Sequence, residues 1–152
     1  MSQDTSFEGD EDDSLETLGT RFEFPVIALG GAIGACLRQT AYLPLARADE
    51  GGVWSGIVST LAINVLGALM LGGLLAHIES RTPHPLLRPF LAVGVLGTFT
   101  TYSTLIFENG AIAAETGLDG AVLHLLASIT LGWTGFAIGY RIIGGRRERV
   151  RS

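Results

Sequence analysis

The sequence contains no lysine; all ten of its basic residues are arginine. It holds one cysteine, Cys36, which excludes an intrachain disulfide. That thiol lies in an apolar run and reads as a small packing residue. Charge is scarce: Asp, Glu, Lys and Arg make up 16% of the 152 residues, against about 25% in a typical soluble domain. The balance is acidic, with a net charge of −5, which argues against nucleic acid as a partner. An acidic chain without lysine suits a high-salt cytoplasm, where carboxylates keep proteins soluble. The N-terminus lacks the basic start and short apolar core of a secretory signal peptide. His77, His84 and His124 have no metal-ligand spacing with one another or with Cys36, and no soluble-enzyme constellation is visible. No repeat of soluble-protein type is visible either.

What is present is apolar sequence: 47% of the residues are hydrophobic and the mean hydropathy is +0.41. Eight of the fifteen acids lie in the first 23 residues, so the remainder is more apolar still. Residues 1–22 read as an acidic, disordered tail. Four apolar segments follow, at Phe24 to Leu45, Val53 to Ala76, Pro89 to Phe107 and Ala121 to Tyr140. A helix needs about 20 apolar residues to cross a bilayer. The fold class is therefore an all-α membrane protein with four transmembrane helices over residues 23–144 and a basic tail over 145–152. Short polar links, "ARADEGG", "HIESRTPHPLLR" and "ENGAIAAETGLDG", join the spans.

Arginine sets the orientation. Four spans put both termini and the link between the second and third on one side. Arg21, Arg81, Arg88, Arg141, Arg146, Arg147, Arg149 and Arg151 fall there, and Arg47 alone falls opposite. Both termini are expected in the cytoplasm, at the cell membrane.

Small residues recur four apart: Gly30 and Gly34 with Arg38, then Ala68, Gly72 and Ala76, then Ser128 with Gly132, and Gly135 with Gly139. Such faces let membrane helices approach closely. They serve internal packing, but four thin helices enclose little interior, so this much small surface also points to an oligomer.

Polar groups inside the spans are few. Arg38 is the one formal charge well within a span. It either reaches outward to the interface or lies against polar groups and raises the local affinity for an anion. Asn64, one turn after Thr60, either joins two helices or points its amide donors into a pore; spacing leaves both open. His124 reads as a helix-contact residue, and Glu108 as a solvated helix end. The densest polar stretch is "GVLGTFTTYSTLIFE", residues 94–108, in which Thr98, Thr100, Thr101, Ser103 and Thr104 place five hydroxyls within seven residues. One threonine can bond back to its own helix. Five beside β-branched residues and glycine point to a broken helix, whose freed backbone must be satisfied by protein, water or an ion.

"GGAIGACLRQ", "STLAINVLGA" and "GVLGTFTTYSTLIFE", in that order on four spans, resemble the Fluc (CrcB) fluoride channels over residues 25–143. The third motif is the specific one. The resemblance implies an antiparallel dimer with two narrow pores at the subunit interface, through which cytoplasmic fluoride leaves passively. It implies a Na+ ion at the dimer centre, held by backbone carbonyls at Gly97 and Thr100. It matches Asn64 to the pore asparagine and Arg38 to the helix-1 arginine, and it gives Glu108 a structural or vestibule role as the alternative to a solvated helix end. Ser103 and Thr104 join the fluoride path, and Ser128 and Thr130 extend a hydroxyl track into the fourth helix. Two pore phenylalanines of the family match Tyr102, which keeps the ring, and Leu105, which lacks its electropositive edge. The partners implied are fluoride, membrane lipid, and either a second copy or an oppositely oriented paralogue. A fixed arginine bias favours the paralogue, because one sequence inserting both ways needs little bias. Two other readings are a non-conducting partner subunit and a small multidrug-type exporter. The latter uses a buried glutamate in helix 1, where this chain has Arg38.

Overall fold

A computed structural model describes the backbone over residues 8–47, 53–79 and 84–151, and side chains over residues 22–44, 54–79 and 84–145. Every regular element among the described residues is a helix. Helix α1 spans Glu8–Arg47 and α2 spans Val53–Glu79. A π-helical segment, Pro89–Leu96, leads into the single turn α3, Gly97–Phe99. Helix α4 spans Tyr102–Thr116 and α5 spans Leu118–Arg151. Four stretches are long and apolar enough to cross a membrane: Phe22–Pro44, Trp54–Glu79, Pro89–Thr116 and Leu118–Gly145.

Several boundaries differ from those read in the sequence. Residues 8–22 of the expected tail continue α1 as helix; residues 1–7 lie outside the described part. Acidic side chains favour the positive end of a helix, which accounts for a start at Glu8 among acids. The expected C-terminal tail likewise continues α5 to Arg151. The link "ENGAIAAETGLDG" is mostly helix. Its alanines carry α4 to Thr116, and the turn narrows to Gly117 at φ 85°, whose N–H bonds Ala113 O at 3.0 Å.

Two helix pairs make up the bundle. α2 lies mainly along α5, and α1 lies mainly along the π segment. Glycine sets both contacts. A side chain at Gly72 would run into Phe136 O, and one at Gly139 into Leu69 O. A side chain at Gly34 would strike Val95 O and Thr98 Oγ1. The glycines read as a possible oligomer surface are thus mostly spent inside the protomer. Gly132 is the exception, with nothing within 4 Å of where its Cβ would sit. Cys36 is exposed rather than packed inside. The fully buried core is partly polar: Ser59 and Thr60 sit beside Ile63 at its centre.

Candidate functional site

Thr100 and Thr101 are extended, at φ −76°, ψ 157° and φ −140°, ψ 122°, between α3 and α4. A continuing helix would give the Thr101 amide to the Gly97 carbonyl. Instead the Thr101 N–H donates to Asn64 Oδ1 at 2.8 Å, and Asn64 Nδ2 donates back to the Thr101 carbonyl at 2.9 Å. One side-chain amide on α2 therefore satisfies both backbone groups of a residue that no helix can serve. Asn64 is both a helix-joining residue and a backbone clamp.

The hydroxyls divide into two roles. Thr98 Oγ1 lies 2.9 Å from both Gly31 O and Gly94 O, tying α1 to the π segment. Thr100 Oγ1 donates to Leu96 O at 3.1 Å. These two bond back into the preceding helix, as isolated threonines do. Thr101 instead caps α4: its Oγ1 accepts the Thr104 amide at 3.3 Å. The same oxygen lies 2.9 Å from Thr104 Oγ1 and 3.4 Å from Ser103 Oγ.

That cap borders a cavity of about 270 Å³ between α1, α2 and α4, lined by Arg38, Gln39, Tyr42, Thr60, Thr101 and Thr104 among others. The lining holds one positive charge and no carboxylate. The N-terminus of α4 borders the same space, and a helix N-terminus carries positive partial charge. Arginine, phenol and amide donors thus converge with the paired hydroxyls of Thr101 and Thr104 beside a dipole of the sign that attracts anions.

Two polar contacts tie α4 to its neighbours, and the first of them is buried. Thr60 Oγ1 donates to Glu108 Oε1 at 2.6 Å. His124 Nδ1 lies 3.0 Å from Asn109 Oδ1, joining α5 to α4 as a helix contact. Glu108 Oε2 and His124 Nε2 are buried without a hydrogen-bond partner. Glu108 is therefore no solvated helix end: α4 runs eight residues past it, and its side chain is 8% exposed. The length of α4 hid this from the sequence reading, which ended the third segment at Phe107.

The other sequence-predicted residues fall in different places. Leu105 is buried in the protomer at 8% exposure, whereas Tyr102, three residues before it, is 74% exposed. The two do not share a surface. Ser103 is exposed beside Tyr102. Ser128 Oγ and Thr130 Oγ1 donate to their own helix, to His124 O at 2.8 Å and Leu126 O at 2.7 Å. Gly97 is exposed, and the space around its Cβ position is open except for Ala92 O at 3.6 Å. Gln39, Tyr42 and Thr60 join the site although sequence reasoning gave them no role in it. The signal for Gln39 and Tyr42 was their position beside and one turn after Arg38 on α1.

A sequence model of the CrcB-like (camphor resistance) family matches residues 25–140. A fluoride-specific ion channel FluC of Idiomarina loihiensis is 38% identical over 108 residues, covering 71% of this chain and 81% of that protein. The fluoride-specific ion channel FluC 1 of Streptomyces coelicolor is 33% identical over 138 residues, covering 86% and 87%. The FluC 2 of Thermobifida fusca is 43% identical over 104 residues, covering 68% and 74%.

Proposed function

The chain belongs to the CrcB family, a family of ion channels and not of enzymes, and from that membership we propose that it is a subunit of a fluoride-specific channel. It is a multi-pass membrane protein with four spans. The proposed activity is passive exit of cytoplasmic fluoride, which lowers its toxicity. The observation that carries this reading is the carboxylate-free cavity of Arg38, Gln39, Tyr42, Thr60, Thr101 and Thr104 at the N-terminus of α4. Fluoride is small and strongly hydrated. It leaves water only where several donors replace that shell, and this lining supplies them from side chains and a helix end.

The third span is proposed to break at mid-membrane depth, at Thr100 and Thr101. Dimerisation is proposed to be antiparallel, with each pore running along the exposed face that carries Tyr102 and Ser103. The edge of the Tyr102 ring can face an anion without holding it as a full charge would. Both termini are proposed to be cytoplasmic, on the arginine count, with residues 23–144 as the conducting unit.

The family resemblance also implies a central Na+. The residues fit it: the Thr101 amide is taken by Asn64, which leaves the Gly97 carbonyl without its helical donor at an exposed, side-chain-free position. Carbonyl oxygens suit a hard cation. Gly97 and Thr100 would hold the ion, which when bound supplies a fixed positive charge and joins the two subunits.

Orientation bears on the partner. Eight arginines against one favour a single direction of insertion, and hence an oppositely oriented paralogue over a second copy. A non-conducting partner role is kept as a second reading by the burial of Leu105, which leaves Tyr102 without a second ring on its surface. Fluoride efflux from vesicles in which Asn64→Ala or Tyr102→Ala is paired with an oppositely oriented paralogue tests the site. Loss of efflux in either variant supports a working pore here. Unchanged efflux in both removes the site assignment.

A further inference from the structure

The α2–α5 pair carries a second concavity, far from the polar cavity and opposite to it in chemistry. Close approach at Gly73 and Gly139 leaves a groove of about 420 Å³ between the C-terminal halves of the two helices, walled by Met70, Leu74, Ile142 and Ile143. A side chain at Gly73 would sit 3.3 Å from Ile143 Cγ1, so the groove exists because position 73 has none. Both helices are long and apolar enough to cross a membrane over this stretch, so a lipid chain is an occupant of matching chemistry.

Its two ends are not alike. α5 runs on as unbroken helix to Arg151. Residues four apart share a helix face. The groove-lining positions Gly139 and Ile143 therefore continue in register to positions 147 and 151, and Ile142 continues to 146. All three of these continuing positions are arginine. With Arg141 and Arg149, the last twelve residues hold five arginines against the single acid Glu148. At 1.5 Å per residue, positions 146 and 147 lie only about 6 Å beyond the groove's last apolar residues. His77 lines the groove at the same end.

We infer that this groove binds one acyl chain of an anionic phospholipid, whose headgroup rests on the arginines that continue the groove face of α5. Charge complementarity selects the occupant: an apolar channel followed at once by a cationic helix face matches a chain joined to a phosphate. A zwitterionic lipid fits the groove but gains little from the arginines. The inference rests on the four spans and not on fluoride conduction.

Native mass spectrometry of the purified full-length chain, taken from mixed phosphatidylglycerol and phosphatidylcholine vesicles, tests it. Phosphatidylglycerol is expected to be retained at least tenfold over phosphatidylcholine, because each juxtamembrane arginine adds attraction to an anionic headgroup. Gly73→Leu, which fills the groove, should abolish retention of both lipids. The double change Arg146→Gln and Arg147→Gln lies beyond the fourth apolar span, which ends at Gly145. It should lower phosphatidylglycerol retention by roughly tenfold and leave phosphatidylcholine unchanged. Equal retention of the two lipids by the native chain overturns the inference. So does undiminished phosphatidylglycerol retention in the double-arginine variant, a result that needs no folding of Gly73→Leu.

Discussion

At the scale of single residues, Asn64 holds the irregular part of the third span together. Its amide meets both the N–H and the C=O of Thr101. Asn64→Ala leaves two backbone groups unpaired in a largely dry environment. At about 1–3 kcal/mol for each, the loss should reach about 2–6 kcal/mol, read as a lowered unfolding midpoint in detergent. An unshifted midpoint would mean that water or another group serves Thr101. Leu105 gives a second, less obvious expectation. Because it is buried within the protomer, Leu105→Phe does not restore a ring to the Tyr102 surface. It overpacks the core, destabilising the protein by about 1–3 kcal/mol without raising efflux. The presence of Asn64 in the second span was legible in the sequence, but its partner was not. That partner is a backbone amide 37 positions away, and local pattern carries no trace of such a pairing. Glu108 was misjudged for a related reason, since only the length of α4 and the nearness of Thr60 reveal it as buried.

At the scale of elements, the sequence pattern read the four spans well and the links poorly. Apolar length survives any tertiary arrangement, so the spans stand. The third link looked polar, yet its alanines were enough to continue α4 until Gly117. Small-residue spacing located the close contacts correctly but not their partners. Periodicity marks a face, and what covers that face is settled by packing. Two glycines separate the cases. Gly34→Ala drives a methyl group into Val95 O and Thr98 Oγ1, contacts that cannot yield without parting α1 from the π segment. It should cost about 1–3 kcal/mol or more. Gly132→Ala meets nothing and gains helix propensity, so it should be neutral or stabilising by up to about 1 kcal/mol. Thermal unfolding of the two variants side by side checks both. A destabilised Gly132→Ala in the assembled complex would instead reveal that a partner subunit covers that position.

At the scale of the whole molecule, two concavities matter, the polar cavity beside Arg38 and the apolar groove between α2 and α5. The arginine count predicts that both termini of the native chain face the same side in every copy. Protease protection of terminal tags in sealed vesicles reads this directly, and a mixture of protected and cleaved tags would favour a self-paired, dual-oriented dimer. If Na+ joins the subunits at Gly97 and Thr100, replacing it with a large organic cation should slow efflux and loosen the dimer together. The central claim is fluoride-selective passage through a dimer that contains this chain. Its most direct test is fluoride efflux from liposomes, with chloride as the control anion, for the purified chain alone and for the chain with an oppositely oriented paralogue. The account predicts silence from the chain alone and fluoride efflux without chloride efflux from the pair. Chloride passing as readily as fluoride, or no fluoride efflux in either preparation of folded protein, would contradict it.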